Sequence, residues 1–314
     1  MASVTLAESA KLSQNMLVAG VIENIIDVNP FYEILPFQGI EGNALAYNRE
    51  NSLGDVGFYT VGDAITAKNP ATFNLETASL TAIIGDAEVD GLIQATRSNI
   101  TDQKAIQIAS KAKSIGRAYQ NALINGTGSG NTFEGLLKLV DSNQIIGNTA
   151  GKLTFEKMDE LIDSVKDKDG NVDYLMAPAR TIRSYYALLR KLGGASIGDV
   201  VTLPSGRQVP AYRGIPLFRN DYIATDMSYT SPGSGSGTGT GTTANTTVMI
   251  AGTLDDGSNT HGIAGITASN NFGVTVENVG VHQSADQTIT RVKFYCGLAL
   301  FSLKGLSVLK GITD

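Results

Sequence analysis

The chain has 314 residues, 42% hydrophobic and 17% charged, enough apolar material for one large domain or two medium ones. Its 24 Lys and Arg against 30 Asp and Glu leave a net charge of −6, which argues against a protein that grips nucleic acid by a basic surface. One cysteine excludes an internal disulfide and a cysteine-cluster zinc site, and two histidines leave little for histidine-based catalysis.

Residues 1–43 show no sustained periodicity and end in a stretch punctuated by Pro30, Pro36 and Gly39. They read as an extended arm with one short helix around Leu6 to Ile26. No basic region followed by an apolar stretch opens the chain, so no signal peptide is read. No run approaches the roughly 20 apolar residues of a helical membrane span, and no membrane partner is expected. Residues 44–90 read as a turn-rich β excursion: a strand from ALAYNRE, a loop through LGDVGFYTVGDAITAKNP, and a long strand in TFNLETASLTAIIG. The excursion carries seven acids, Asp55 and Asp63 among them, against Arg49 and Lys68.

The strongest helix signal spans residues 101–124, where Ile108, Ala112, Ile115, Tyr119 and Ala122 recur every three or four residues. Thr101 or Asn99 would cap it, and Asn125-Gly126 would end it. At about 1.5 Å per residue it would be about 36 Å long, enough to cross a domain. It carries Lys104, Lys111, Lys113 and Arg117. A second helix is expected over 154–165, with Phe155, Met158, Leu161, Ile162 and Val165 on one face, then a KDGN turn and a strand near Tyr174 to Ala177. Pro178 opens a third helix, stopped by Gly193-Gly194. A hairpin follows over Val200 to Tyr212. Residues 231–247, SPGSGSGTGTGTTANTT, read as an exposed flexible loop. The last strands expected are Thr246 to Gly252, Ile289 to Tyr295 and Leu298 to Leu303. Strands and helices do not alternate strictly, which makes the class α+β.

Candidate chemistry is sparse. Asp167, Asp169, Asn171 and Asp173 alternate like calcium-loop ligands, but Val172 and Pro178 stand where such a loop needs Gly and Glu, so a tight turn is the better reading. Gly126, Gly128 and Gly130 follow a helix rather than a strand and lack the Lys of a phosphate loop. Gly194 to Gly198 spells G-x-S-x-G around Ser196, but the expected order is helix then strand, the reverse of a nucleophile elbow. His261 and His282 sit in polar, loop-like sequence. The four cations of the long helix read as a solvated or intersubunit face rather than a groove reader. Cys296, in FYCGLALF, reads as a small core residue. No catalytic residue, cofactor or metal site is expected.

In their order, these elements resemble the tailed-bacteriophage major capsid protein family, with its Hong Kong 97 fold. The excursion from Ala44 to Ile84 is similar to that family's extended E-loop, and the segment from Val89 through the 101–124 helix to its spine helix. NGTGSGNTFEGLL, then LTFEKMDELIDSV, DYLMAPARTIRSYYALLRKLGG and GIPLFRND, resemble the segments that follow, and RVKFYCGLALFSLKGLSVL resembles the closing strands. The likeness covers nearly the whole chain, although each piece is short.

What this resemblance implies is an assembly protein. The arm would be 1–43 and the E-loop 44–90. A peripheral domain would comprise 91–172 with about 285–306, and an axial domain 173–284 with about 307–314, including loop 231–247. Subunits would form hexamers and pentamers of an icosahedral shell around double-stranded DNA, within a virion assembled in the host cytoplasm. A separate scaffolding protein, a portal and a decoration protein are the implied partners. Expected intersubunit contacts are Asp55, Asp63 and Lys68 on the excursion and Lys104, Lys111, Lys113 and Arg117 on the long helix, acidic loop against a neighbour's basic residues. Some family members weld the shell through a Lys in the E-loop and an Asn in a neighbour. Lys68 is available, but residues 285–314 contain no Asn, so no such crosslink is expected. The alternatives are an encapsulin, a bacterial compartment shell with the same fold, a Ser hydrolase using Ser196, and a β-rich extracellular adhesin.

Overall fold

Why the chain leaves an excursion outside its core is visible in how its elements pair. The computed structural model describes residues 30–97, 103–166, 170–191, 199–227 and 246–313. The chain enters through a 3-10 turn, Pro30–Glu33, and strand β1, Phe37–Ile40. Strands β2 (Ala44–Ser52) and β3 (Thr72–Ser79) form an antiparallel ribbon, and β4 (Thr81–Asp90) continues from it. Helices α1 (Gly91–Arg97), α2 (Gln103–Asn125) and the single turn α3 (Leu136–Leu139) lead to β5 (Ile145–Lys152). Helix α4 (Phe155–Lys166), β6 (Tyr174–Ala177) and α5 (Ala179–Lys191) precede a meander of β7 (Val200–Thr202), β8 (Gln208–Tyr212) and β9 (Ile215–Arg219). Strands β10 (Thr247–Gly252), β11 (Ile263–Ala268), β12 (Val274–Val281), β13 (Gln287–Leu300) and β14 (Leu306–Thr313) complete it.

Two sheets form the body. One is ordered β5-β14-β10-β6-β9-β8-β7. The other runs β1-β11-β13-β12, with β4 on the far side of β13. Parallel pairs (β1 with β11, β5 with β14, β6 with β9) mix with antiparallel ones, and strands and helices do not alternate strictly, which places the fold in the α+β class. Helix α4 lies on the seven-stranded sheet and buries Met158, Leu161, Ile162 and Val165 completely, the face that the 3.6-residue spacing marks. Each such side chain contributes about 1.5–3 kcal/mol of transfer free energy. Helix α2 lies on the other sheet, with Ile115, Tyr119 and Leu123 in one cluster with Val292 and Phe294 of β13.

Glycines at the end of α2 close a turn. A Cβ at Gly126 would sit 2.2 Å from the Phe133 carbonyl, and one at Gly135 2.7 Å from the Gly126 nitrogen. The Gly135 amide donates to the Gly126 carbonyl at 2.9 Å, so the NGTGSG stretch folds back on the helix end.

Several sequence readings need correction. Residues 30–40, read as the end of the arm, belong to the body. Phe31 is fully buried, its ring edge-on to Tyr174 (4.7 Å between centroids) and Phe218 (5.7 Å), and β1 adds a parallel strand to β11. The long strand of residues 72–85 breaks at Leu80, because β3 pairs within the ribbon while β4 pairs with β13. The two strands expected after residue 289 are one, β13, continuous through Gly297. A Cβ at Gly297 would sit 2.7 Å from the Ser79 carbonyl where the ribbon departs, so only glycine fits that crossing. The strands expected residue by residue stop at Leu303, whereas β14, which begins inside the segment likened to the closing strands, runs from Leu306 to Thr313. Thr246 and Thr247 belong to the body: both are buried, and Thr246 pairs with Met227. The two sheets draw on several parts of the chain. Helix α4 packs with the seven-stranded sheet, whereas β11 and β12 pair with β13. The Leu6 to Ile26 helix, the caps at 99–102, residues 167–169, the 194–198 motif with Ser196, and most of loop 231–247 lie outside the described residues.

Candidate assembly surface

The ribbon is built by period-two alternation. Leu45, Tyr47 and Arg49 point from β2 toward the body while their neighbours face out. Leu45 and Tyr47, with Ala78 and Leu80, cover a small cluster of Ile40, Ala264, Ile266, Ala299 and Phe301. Tyr47 stands edge-on to Phe301 at 5.2 Å, and its hydroxyl donates to the Leu300 carbonyl at 2.8 Å.

Past Ser52 and Thr72 the ribbon opens into a tip, residues 53–71, without regular secondary structure. Short-range hydrogen bonds shape it. The Asp55 amide donates to the Asn69 carbonyl at 3.0 Å, and the Asn69 side-chain amide donates to the Asp55 carboxylate. The Thr60 amide donates to Asp63 at 2.9 Å across a turn through Gly62, whose φ is +98°. The Thr60 hydroxyl and amide hold the Asp63 carboxyl below its usual range. The Tyr59 hydroxyl accepts from the Thr66 and Ala67 amides at 3.0 and 2.7 Å.

This scaffold displays apolar side chains to solvent. Val56 is 95% exposed, Phe58 109% and Val61 108%, with Leu53 and Ile65 beside them in sequence. A fixed loop that presents a group of large apolar side chains marks an interaction surface. A second exposed set lies on outer strand β12, at Val274, Val276, Val279 and Val281, next to Phe272. Val274 and Val276 stand opposite Phe294 and Val292, on the sheet face that α2 covers only in part.

The sequence-named residues fall into two groups. Asp55, Asp63 and Lys68 are all exposed on the tip, but both carboxylates close the tip's own turns. The cations of α2 do not share one face. Lys113 and Arg117 are exposed, whereas Lys104 and Lys111 are half-buried, and Lys111 runs beside Gly85 of β4, close enough to help lower the Asp86 carboxyl. Sequence reasoning passed over the apolar residues of the tip. The signal was there: Leu53, Val56, Phe58, Val61 and Ile65 follow neither a helical nor a strand period, among glycines that prevent a core. Cys296 is buried, and burial pushes its thiol up to about 12.

On the face of the second sheet away from α2, charges pair across strands. Arg291 donates to both Asp86 oxygens at 2.8 and 2.9 Å, and Lys293 pairs with Glu277 at 2.5 Å. The Arg291 hydrogen bonds hold the Asp86 carboxyl below its ordinary value of 3.8. The pair therefore stabilises fully above that value and loses its effect as pH falls below it toward the lowered one. Because the Arg291 side chain is 41% exposed, Asp86→Asn is expected to lower stability by only about 1 kcal/mol at pH 7. Denaturant titrations of both proteins between pH 7 and 2 should show that gap closing at the acid end. A gap that stays constant would contradict the assignment.

Residues 83–198 match the family model of the SU10 major capsid protein. No curated protein matches the chain by sequence. Among solved structures, the cyanophage A-1(L) capsid asymmetric unit is similar with a TM-score of 0.72 at 15% identity, covering 99% of this chain and 100% of that one. The holo-SrpI encapsulin complex from Synechococcus elongatus is similar with a TM-score of 0.71 at 18% identity, covering 99% and 96%. The capsid of a native GTA particle gives 0.65 at 12% identity, covering both chains completely. The chain thus has the Hong Kong 97 fold, and the resemblance to tailed-phage major capsid proteins read from the sequence extends to a family-model match over 83–198.

Proposed function

We propose that this chain is the major capsid protein of a tailed phage, a shell subunit whose work is assembly with copies of itself. The observation that carries this reading is the ribbon tip, a shaped loop whose apolar side chains have no partner among the described residues of their own subunit. Exposed apolar surface of this kind is stabilised when adjoining copies cover it, and a closed symmetric shell supplies a neighbour for every tip. The exposed valines of β12 are a second surface that neighbours would cover. In this reading the ribbon acts as the E-loop. The sheet with α2 is the core of the peripheral domain, and the seven-stranded sheet with α4 and α5 is the core of the axial domain. Six- and five-fold rings would tile an icosahedral shell around double-stranded DNA in a virion assembled in the host cytoplasm, helped by scaffolding, portal and decoration proteins. The subunit is read as structural rather than enzymatic. Asp55, Asp63, Lys68, Lys113 and Arg117 then act at subunit boundaries through charge, secondary to the apolar contacts.

The encapsulin likeness favours a second reading, a bacterial compartment shell with the same fold. The family match over 83–198 weighs toward the capsid. Contents separate them: particles purified from phage-producing cells and treated with nuclease should retain protected double-stranded DNA. Particles that hold a single enzyme and no protected DNA would favour the compartment instead.

A further inference from the structure

Arg49 is the outermost point at which the ribbon grips the body. Its Nη2 donates to the Leu300 carbonyl at 2.6 Å, at the end of β13, and its Nε to the Phe301 carbonyl just beyond it at 3.2 Å. Its Nη1 lies 3.4 Å from the Glu76 carboxylate on the facing strand, and its guanidinium sits 5.7 Å from the centre of the Tyr47 ring. The side chain is 15% exposed. Among the described residues, no hydrogen bond or ion pair joins residues 50–75 to the body. Beneath the stem lies a cleft of about 530 Å3, lined by Arg49, Glu76, Glu134, Lys138 and Leu303 among others. Packing therefore does not wedge the outer stem in place. A ribbon of two strands is flexible by itself, and its direction has to come from contacts at its base.

We propose that Arg49 is a positioning residue that sets the angle at which the ribbon leaves the body, by forking the Leu300 and Phe301 carbonyls while holding Glu76 of the opposite strand. The planar guanidinium reaches two successive carbonyls and a carboxylate at once, which a lysine ammonium cannot do in the same geometry. The consequence for assembly rests on the capsid reading: a tip held at one angle meets its neighbour without the entropic cost of being found there.

The test is a distance distribution between spin labels at Ala64→Cys on the tip and Ser110→Cys on α2, in full-length subunits that elute as single chains. The buried native Cys296 stays unlabelled. The distribution is expected to be narrow with Arg49 present, at least twice as wide in Arg49→Ala, and intermediate in Arg49→Lys. Unchanged width in Arg49→Ala would overturn the proposal. Should Arg49→Ala fail to fold, Glu76→Gln combined with Tyr47→Phe weakens the same clamp, with the same expected broadening and the same contrary result. Shell formation is scored separately. Broadening with loss of shells supports both the clamp and its role in assembly, whereas broadening with normal shells upholds the clamp and counts against the capsid role assigned to the tip.

Discussion

Replacing Val56, Phe58 and Val61 together by Ser is expected to abolish shell formation while leaving the subunit folded. All three are exposed at 95% or more, so their loss removes almost no contact with the described residues of the chain. Exposed substitutions of this kind change stability by about 0.5 kcal/mol or less each, and the melting temperature should move by no more than a few degrees. Burial against a neighbour is a different matter. Each such side chain contributes about 1.5–3 kcal/mol when it leaves water, so three together contribute roughly 5 kcal/mol or more per tip. At about 1.4 kcal/mol per tenfold, one contact weakens by about three orders of magnitude, and a closed shell repeats that contact throughout. Sedimentation of wild type and variant at equal concentration reads the outcome. Particle yield equal to wild type would show that the tip is not an interface.

The second large effect lies at the opposite end of the burial scale. Phe31→Ala is expected to cost about 3–5 kcal/mol, the range for emptying a large aromatic from a packed site. Phe31 is fully buried between Tyr174 and Phe218, so it ties the segment before β1 to both the β6 and β9 strands of the seven-stranded sheet. An arm that merely lay on the surface would lose far less. Chemical denaturation of unassembled subunits measures the difference, with Phe31→Leu as a milder companion that leaves a smaller cavity. A loss below about 1 kcal/mol would mean that residues 30–40 do not belong to the core.

Where one element carried its own periodicity, the sequence was legible. Helix α4 shows its buried face in four residues, and α2 shows Ile115 and Tyr119 at helical spacing. Strand β14 was not legible, because it lies inside a sheet with β5 on one side and β10 on the other. Its residues Leu306 to Ile312 are all buried, even Lys310, so no alternation marks it as a strand. The break at Leu80 was hidden for another reason. Residues 72–90 are one extended run in sequence, and only distant partners, β2 for the first half and β13 for the second, make them two strands. The pairing of β11 with β13, which passes over β12 in sequence, is equally hard to read locally. Of the candidate surface, the excursion and its acids could be read, but its apolar display could not be separated from ordinary core residues until the loop was seen to have no core. The cations of α2 were misgrouped by composition. Lys104 and Lys113 are nine residues apart, half a turn out of phase, so they fall on opposite sides of the helix.

Whether the subunit assembles is read from electron microscopy of the purified protein, alone and with candidate scaffolding partners. Closed icosahedral shells, or rings of five and six subunits on the way to them, are the expected result. A stable single chain under every condition, with the tip still exposed, would contradict it.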